Sequence, residues 1–367
     1  MKIIHWIGID DHADKWTIAH FVSDAERPAK EFELIPDAGG YRRLIAFLKA
    51  LGSEVRIVYE AGPCGFELFR RLTKSGLNCN VAAPALTPTK PGDKVKTNRR
   101  DAAKLAKYLR GGDLTFVTVP DAKQEAVRDL VRQRSSAQGD VGRVRRQIIH
   151  LLLRYGHRYP KGQSSWTLRF WAWLRAIKLT APHSQFVLDT MITELEHRIE
   201  VLKRFDDEVE RTSRLAEYQP YVDALRTLKG INTVSAMTLL SELGDLRRFP
   251  TAPQLMAAVG LVPSEYSTGD KVGRYAITKT GNAHVRHIAV EAAWQYQRGS
   301  RVGKTVLARR KGQPPEVVAI AEKCDKRLNT KFYRMTSRRK KSTVTAVAVA
   351  RELVGFVWAI GQLIHPS

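Results

Sequence analysis

The first 120 residues alternate short apolar segments with amphipathic ones. Apolar positions dominate His5–Asp11 and Trp16–Val22, which predicts two strands, and Glu31–Leu34 can complete a three-stranded meander. After the meander, the pattern predicts helix Tyr41–Leu51, strand Val55–Tyr59, helix Phe66–Ser75, strand Cys79–Ala83 and helix Arg100–Leu109. A meander followed by α/β units predicts an RNase H-like α/β domain over residues 1–120.

From residue 121 onwards the periodicity is that of helices. A long basic helix is predicted over Ala122–Tyr155, and apolar residues recur at alternating four- and three-residue steps from Leu188 to Leu202. Such a seam, about three heptads long, predicts either an antiparallel hairpin within the chain or a contact between two copies. We therefore expect a helical, coiled-coil region over residues 121–220 and a mainly α domain over residues 221–367.

The C-terminal region contains three segments that bear on function. The turn around Gly230 precedes a helix predicted over Ser235–Leu243, and it fits either a phosphate-gripping helix-hairpin-helix or an ordinary αα corner. A loop rich in hydroxyls, Gly260–Lys271, joins two helical stretches. The apolar segment Val344–Ile364 carries two central charges, which favours a buried helix over a membrane span.

The net charge of the chain indicates which kind of molecule it binds. The chain of 367 residues has 61 Lys and Arg against 37 Asp and Glu, a formal net charge of +24. A basic surplus of this size indicates a polyanion, most often nucleic acid. The three cysteines are too few and too scattered for a disulfide framework or a zinc site. Because the N-terminus also lacks a signal-peptide pattern, we expect a cytoplasmic protein.

Two predicted strands end in an acid. The first ends at Asp10 and the fourth at Glu60, and Asp101 falls in the first turn of a helix for which Asn98 is a plausible N-cap. Carboxylates at the ends of buried strands are costly unless they are paired or hold a cation, and hard divalent cations prefer oxygen ligands. The acids therefore predict a shared metal site, although capping and turn formation would also explain them.

The hydroxyl-rich loop offers a nucleophile. A serine near cations can attack a phosphodiester, and the cations stabilise the charge of the transition state. Ser267 and Thr268 are the candidates. The cations that we expect to contact nucleic acid are Arg99, Arg100, Arg143, Arg145, Arg146, Lys271, Arg274 and Lys279. The Arg density between 128 and 146 supports a phosphate track because acidic partners at i,i+4 are scarce.

Together these motifs resemble a known family. The N-terminal motifs are Gly8-Ile9-Asp10, Tyr59-Glu60-Ala61-Gly62 and Lys96-Thr97-x-Arg99-x-Asp101-Ala102. The C-terminal motifs are Leu228-x-Gly230-Ile231, Glu242-x-Gly244-Asp245-x-x-Arg248-Phe249, Gly260-Leu261-x-Pro263, Ser267-Thr268-Gly269 and Ile277-Thr278-Lys279-x-Gly281-Asn282. In this order and spacing they resemble the DEDD insertion-sequence transposases that include Piv-type invertases.

The resemblance implies a site-specific DNA recombinase that moves its own element and that is associated with the nucleoid of a bacterium or archaeon. It implies a RuvC-like N-terminal domain whose acidic positions fall on Asp10, Glu60, Asn98 and Asp101 and hold Mg²⁺. It also implies a serine nucleophile in the C-terminal domain, a structured bridge RNA as guide, donor and target DNA as partners, and a homodimer or homotetramer with composite sites.

The chain departs from the family pattern at two positions. Asn98 stands where an acid is usual; its amide oxygen can still bind a hard cation, but one negative charge is lost. In many relatives the serine immediately precedes the glycine, which would select Thr268; we favour Ser267 and keep Thr268 as the alternative. Asp11 is left out because it lies on the opposite strand face from Asp10.

Two other functions remain compatible with the sequence. A metal-dependent junction-resolving nuclease would use Asp10, Glu60 and Asp101 without a covalent step, and Ser267 and Thr268 would be dispensable. A non-enzymatic nucleic-acid-binding scaffold would use its acids only for capping and pairing, so that replacing Asp10 would alter stability alone.

Overall fold

A computed structural model describes residues 3–52, 54–88, 97–268, 271–299 and 301–364 of the chain. The chain divides into two compact units, Met1–Pro120 and Asp121–Ser367. Three residues of the motifs above, Lys96, Gly269 and Asp270, lie outside the described residues. For Ser267, Thr268, Lys271 and Arg274 the description is limited to the backbone.

The first unit is built on a five-stranded mixed sheet in the order β3-β2-β1-β4-β5. Its strands are β1 Ile4–Asp11, β2 Trp16–Val22, β3 Lys30–Leu34, β4 Glu54–Glu60 and β5 Asn78–Ala82. β1, β2 and β3 pair as an antiparallel meander, whereas β4 and β5 continue the sheet from β1 in parallel. The meander and the two α/β strands predicted from the sequence are thus confirmed.

Helices cover both faces of this sheet. They are α1 Ala38–Ala50, α2 Glu67–Lys74 and α3 Asn98–Gly111, and a 3₁₀ turn spans Pro84–Leu86. Ile7 and Ile9 pack with apolar residues of α1 and α2 on one face. Trp6 and Val58 pack with α3 on the other. A buried central strand with both faces covered explains why its apolar residues run continuously rather than alternating with polar ones.

The second unit is helical except for one β-hairpin among its described residues. Its helices are α4 Ala122–Arg154, α5 Leu168–Ala176, α6 Pro182–Ser213, α7 Gln219–Leu225, α8 Thr233–Leu243, α9 Ala252–Ala258, α10 Ala283–Ala293, α11 Lys304–Arg310, α12 Pro315–Ser337 and α13 Ser342–Leu363. Two 3₁₀ turns span Leu246–Arg248 and Trp294–Arg298, and the hairpin strands are β6 Pro263–Thr268 and β7 Lys271–Ile277.

The predicted apolar seam lies inside this unit. Leu188 and Leu195 are fully buried against the C-terminal half of α4, and Ile192, Ile199 and Leu202 pack around them. α4 and α6 run antiparallel, because contacts join Tyr155 to Ser184 and Arg134 to Asp206. The seam is therefore used within the chain; coiled-coil geometry stays a prediction.

Two further sequence predictions meet different outcomes. The segment Gly260–Lys271, predicted as a loop, instead contains strand β6 and leads into β7, so that prediction is wrong. Among the described residues α13 is the one helix long and apolar enough to cross a membrane, with mean hydropathy 1.6. Half of that stretch is buried within the unit, where residues such as Val349 and Leu353 form part of the core, as a core helix requires.

Candidate active-site elements

Adjacent residues at the end of β1 face in opposite directions. Asp10 follows Gly8 on the face covered by α3, whereas Asp11 lies on the other face and accepts a hydrogen bond of 2.8 Å from the Trp16 indole N–H. Burial raises the pKa of Asp11, and the hydrogen bond from Trp16 acts against that rise. Asp10 Oδ2 lies 3.1 Å from His12 Nε2, with its side chain 19% exposed. Asp11 is thus hydrogen-bonded to the buried Trp16, whereas Asp10 lies on the α3 face with its side chain largely covered.

Glu60 lies beside Asp10 on the neighbouring strand. β1 and β4 are in parallel register with Gly8 opposite Val58 and Ile9 opposite Tyr59, so the next pair in this register is Asp10 and Glu60. Val58 packs towards α3. Because side chains alternate along a strand, Glu60 lies on that same face.

The third contribution comes from the first turn of α3. A Cβ on Gly8 would lie 2.0 Å from the carbonyl oxygen of Ala102, so the helix backbone rests directly on β1 at that point. Asn98 and Asp101 precede Ala102 by one turn and one residue, towards the end of the strand where Asp10 lies. Lys104 Nζ is 3.7 Å from Asp101 Oδ1. The helix thereby brings both residues to the edge that holds Asp10 and Glu60.

The N-cap of α3 is Thr97, not Asn98. The hydroxyl of Thr97 accepts a hydrogen bond of 3.3 Å from the backbone N–H of Arg100. Asp101 occupies the first turn, as predicted, where a negative charge complements the helix dipole. Because Thr97 performs the capping, capping does not account for Asn98, and its amide oxygen can serve a cation.

Asp10, Glu60, Asn98 and Asp101 together form what we call the acidic edge. It suits a hard divalent cation because all four residues offer oxygen donors and lie at one edge of the sheet. Three carboxylates and one amide are the oxygen ligands that such cations prefer. The described residues nevertheless contain no group of three or more His, Cys, Asp or Glu side chains close enough to hold a metal ion. The elements therefore supply the donors without gathering their side chains into a coordination sphere.

The hydroxyl candidates lie at the tip of the β6–β7 hairpin. Ser267 pairs with Val272 and Thr268 with Lys271 in the backbone register. Ser267 and Thr268 are therefore the last two residues of β6.

The base of this hairpin is held tightly. A Cβ on Gly260 would lie 2.0 Å from the carbonyl oxygen of Thr280, and one on Gly281 would lie 1.9 Å from that of Ala258. Both glycines also have positive φ angles, 67° and 74°. The Arg286 guanidinium donates to the carbonyl oxygens of Val259 and Thr280 at 2.9 and 3.2 Å. Only glycine fits at positions 260 and 281, so the two ends of the hairpin are held at a fixed point on the helices.

The buried carboxylate of Glu242 links the lower end of the hairpin to two helices. Glu242 of α8 accepts hydrogen bonds from Arg132 of α4 at 2.7 and 2.9 Å, and one of 2.7 Å from the amide of Asn282. Asn282 also caps α10 by accepting from the N–H of Val285. Burial acts to raise the pKa of Glu242, but these hydrogen bonds and the charges of Arg132 and Arg128 outweigh it, so the pKa is lowered.

The cations predicted to bind nucleic acid occupy different environments. Arg99, Arg100, Arg146 and Lys279 are exposed. Arg143 is exposed as well and pairs with Asp140 at 2.6 Å. Arg145 differs, because it is half-buried with its guanidinium 5.1 Å from the ring centre of Trp166, and burial lowers its pKa. Packing thus accounts for Arg145, while the others remain predicted contacts.

Three arginines of α4 pair with acids of other helices, so their predicted place in a phosphate track is wrong. Arg128 and Arg132 face Glu242 of α8, and Arg134 donates to Asp206 of α6 at 2.7 Å. These acids lie far away in sequence, so local spacing along α4 does not reveal them. The three side chains therefore hold the helices together.

The sequence interpretation missed two groups of residues near the hairpin. Glu242 is the one charged residue of α8, and a buried acid requires a cation, which was the signal that could have found its network. Tyr266 and Tyr275 are 74% and 65% exposed on the hairpin. Large exposed aromatics on a predicted loop could have indicated a binding face. At Gly230 a Cβ would lie 2.5 Å from the Ala292 carbonyl oxygen of α10, so close packing requires glycine there; that this turn also grips phosphate stays a prediction.

Comparisons with known proteins cover both units. A family model described as "Transposase IS116/IS110/IS902 family" matches residues 222–306. A second model, for DEDD transposases of the IS110 type and described as "Transposase", matches residues 7–157. The first span contains the hairpin and Glu242, and the second contains all four positions of the acidic edge.

Several bacterial proteins are similar along most of the chain. The y4qE protein of Sinorhizobium fredii, whose given name marks it as a presumed transposase, is 42% identical over 97% of this chain and 88% of its own length. The transposase for insertion sequence element IS1533 of Leptospira borgpetersenii is 31% identical over 93% of this chain and 99% of its own. The transposase for IS1111A of Coxiella burnetii is 26% identical over 62% and 64%.

Proposed function

The chain belongs to the IS110/IS116 family of DEDD insertion-sequence transposases, and on that premise we propose that it cuts and rejoins DNA through a covalent serine–DNA intermediate. In this proposal Ser267 is the nucleophile, and Asp10, Glu60, Asn98 and Asp101 hold Mg²⁺. A structured bridge RNA guides the enzyme to donor and target DNA. The site assembles from two protomers within a dimer or tetramer.

Membership of the family fixes the coarser description. The chain is a transposase, an enzyme that acts on DNA and therefore binds it. A DEDD transposase domain implies an RNase H-like fold for the first unit, and the family typically depends on a divalent metal ion. The identity of the metal, the nucleophile and the guide belong to the proposal.

The observation that carries the proposal is the common position of the four acidic-edge residues. Asp10 and Glu60 end neighbouring parallel strands on one face, and the first turn of α3 brings Asn98 and Asp101 to that face. A stabilising role alone would not require carboxylates from three elements at one edge of the sheet. When bound there, a divalent cation would neutralise phosphate charge and polarise a phosphoryl oxygen.

The hairpin supplies the second part. In the proposed step, the Ser267 hydroxyl oxygen forms a bond to phosphorus, its proton passes to a base, and one phosphodiester oxygen departs as the end of the cut strand. Rejoining reverses these changes with a different strand end. Both hydroxyl residues end β6, and the paired strand β7 carries Lys271 and Arg274, residues whose charge suits a phosphate, so the proposal keeps Thr268 as the alternative nucleophile.

The covalent step can be trapped. Protein, Mg²⁺, candidate guide RNA and radiolabelled donor DNA are incubated and separated on a denaturing gel. We expect a protein–DNA adduct that is abolished in Ser267→Ala, retained in Thr268→Ala, and reduced at least about a hundredfold in Asp10→Ala, because removing a group that stabilises transition-state charge costs about that much.

Other results would revise the proposal in distinct ways. Loss of the adduct in Thr268→Ala alone would move the nucleophile by one residue. Free cleaved ends without an adduct, abolished by Asp10→Ala, would contradict the serine step and identify a metal-dependent nuclease. An adduct that forms equally well without RNA would contradict the guided step.

A further inference from the structure

Two tyrosines share one face of the hairpin. Tyr266 lies opposite Gly273 in the backbone register, and cross-strand partners share a face. The Tyr275 ring lies over the same glycine, since a Cβ on Gly273 would be 3.1 Å from Tyr275 Cε2 and Oη. Both side chains are largely exposed, at 74% and 65%. Gly273 thus leaves the space that allows an open aromatic face, which we define as Tyr266, Gly273 and Tyr275.

A cleft continues this aromatic face towards α13. It has a volume of about 350 Å³ and is lined by Tyr275, Pro263 and Ile277 of the hairpin and by Val344, Val347 and Arg351 of α13. Val344 at its rim is 53% exposed. An apolar cleft walled by an aromatic ring, with one cation at its edge, fits a flat heterocycle attached to a phosphate.

The position of this face favours nucleic acid over a protein partner. Tyr266 directly precedes Ser267 and Thr268 on β6, and the chain has a net charge of +24. Lys279, exposed at the end of the hairpin, adds a further cation. Aromatic rings beside a phosphate-binding charge are how proteins hold single strands, because every base offers a π-face for stacking.

We propose that the aromatic face and its cleft bind nucleobases that are unpaired beside the cut. Tyr266 and Tyr275 stack on successive or neighbouring bases, and the Arg351 side of the cleft faces their phosphates. Exchange of strands between two duplexes requires base pairs next to the break to open, and stacking stabilises those bases while they have no partner. This inference rests on the proposed function only in placing the cut at the hairpin.

The test separates base stacking from phosphate attraction. Binding is measured for twelve-nucleotide single strands that contain one 2-aminopurine, and for strands of equal length in which the bases are replaced by abasic sites. We expect wild-type protein to quench 2-aminopurine fluorescence and to bind the base-containing strand about tenfold more tightly than the abasic one, since stacking a base contributes that order of affinity. Tyr266→Ala and Tyr275→Ala should lose both the quenching and the preference.

Matched variants keep the result interpretable. Tyr333→Ala removes a tyrosine of α12 that is 77% exposed, and it should behave as wild type. Tyr266→Phe and Tyr275→Phe retain the ring and should restore quenching. Affinity for a fully paired duplex should stay within twofold in all five variants, because a duplex offers no free base face.

Several results would overturn this inference. The first is that Tyr275→Ala prefers base-containing over abasic strands as strongly as Tyr333→Ala does. The second is that Tyr266→Ala and Tyr275→Ala weaken binding to single strands and to duplex equally. The third is that these two variants lose self-association in sedimentation while they still quench 2-aminopurine. The proposed serine step is judged separately. Absence of an adduct in the trapping experiment leaves the 2-aminopurine result intact, and loss of stacking leaves the adduct of Ser267 testable.

Discussion

At the scale of single residues, the role of each acid follows from its orientation. Asp10 and Asp11 are neighbours of the same type, yet the strand turns one towards α3 and the other towards the Trp16 indole. The Asp11 carboxylate accepts a hydrogen bond from the buried Trp16, whereas Asp10 lies at the edge with Glu60. Strand alternation was enough to separate them in advance.

Glu242 is the clearest case of a single residue with several partners. Its side chain is fully buried and joins α4, α8 and the cap of α10. A buried charge is tolerated only while its hydrogen-bond partners remain, because the interior cannot solvate it. Glu242 thereby fixes the point where the hairpin leaves the helices.

Removing Glu242 should destabilise the second unit strongly. Glu242→Ala leaves Arg132 and the Asn282 amide without their acceptor, and such losses cost about 3–5 kcal/mol. The free energy of unfolding, from urea denaturation at pH 7, checks this. Glu200→Ala, which removes an exposed partner of Arg204, is the matched control and should leave the midpoint almost unchanged.

The contribution of Glu242 should also depend on pH. Because its folded-state pKa lies below the ordinary 4.5, the folded protein holds the ionised form more strongly than the unfolded chain does. The stabilisation is therefore complete at pH values above the ordinary pKa of 4.5, and it is lost as the pH falls through the lower folded-state pKa. The stability difference between wild type and Glu242→Gln should shrink on acidification; a constant difference would contradict the ionic role.

At the scale of elements, the acidic edge depends on how closely α3 packs on β1. The contact is made at Gly8, where a side chain would collide with the backbone of Ala102 and Ala106 at 2.0 and 2.7 Å. Backbone atoms cannot move aside as a flexible side chain can. Gly8 therefore sets the distance of the helix from the sheet, and with it the position of Asn98 and Asp101.

Replacing Gly8 should affect both stability and activity. In Gly8→Ala the helix must shift, at a cost of about 1–3 kcal/mol for overpacking, and the first turn of α3 moves away from Asp10. We expect a lower melting temperature and a slower rate of adduct formation with unchanged DNA affinity. Gly139→Ala, on an exposed stretch of α4 with open space around it, is the control. Equal adduct rates in the two variants would contradict this account.

At the scale of the whole molecule, the excess of cations dominates the expected interaction with DNA. Part of the basic surplus is used inside the second unit, where Arg128, Arg132 and Arg134 meet acids of other helices. The exposed remainder, including Arg146 and Lys279, is available to phosphates. Binding that releases counterions from DNA weakens as salt increases.

DNA binding by this transposase should therefore depend steeply on salt. With about six to ten phosphate contacts, the affinity for duplex DNA should fall by about 10³–10⁵ between 50 and 200 mM KCl. Lys279→Ala should reduce the slope of log K against log salt by about one. Arg204→Ala removes a cation already paired with Glu200 at 2.6 Å and should leave the slope unchanged. A salt-independent affinity would contradict the electrostatic assignment.

Much of the first unit was predictable because its signals are local. Apolar runs, Gly and Pro positions and the acids at strand ends depend on neighbouring residues, so the meander, the parallel strands and the helices were found with boundaries close to those observed. The N-cap of α3 was assigned one residue late, to Asn98, because Thr97 and Asn98 both favour that position. The hairpin was not predicted because β6, Pro263–Thr268, is polar and rich in hydroxyls and lacks an alternating pattern of apolar residues.

The sequence by itself determined the family, the basic character, and which residue types stand at the acidic edge and the hairpin tip. The tertiary structure alone decided which arginines form ion pairs between helices, since the partners of Arg132 and Arg134 lie 110 and 72 residues away. It also decided that Glu242 and Asn282 meet and that two tyrosines flank one glycine of the hairpin. Contacts between residues distant in sequence form only when the chain folds, so no local pattern records them.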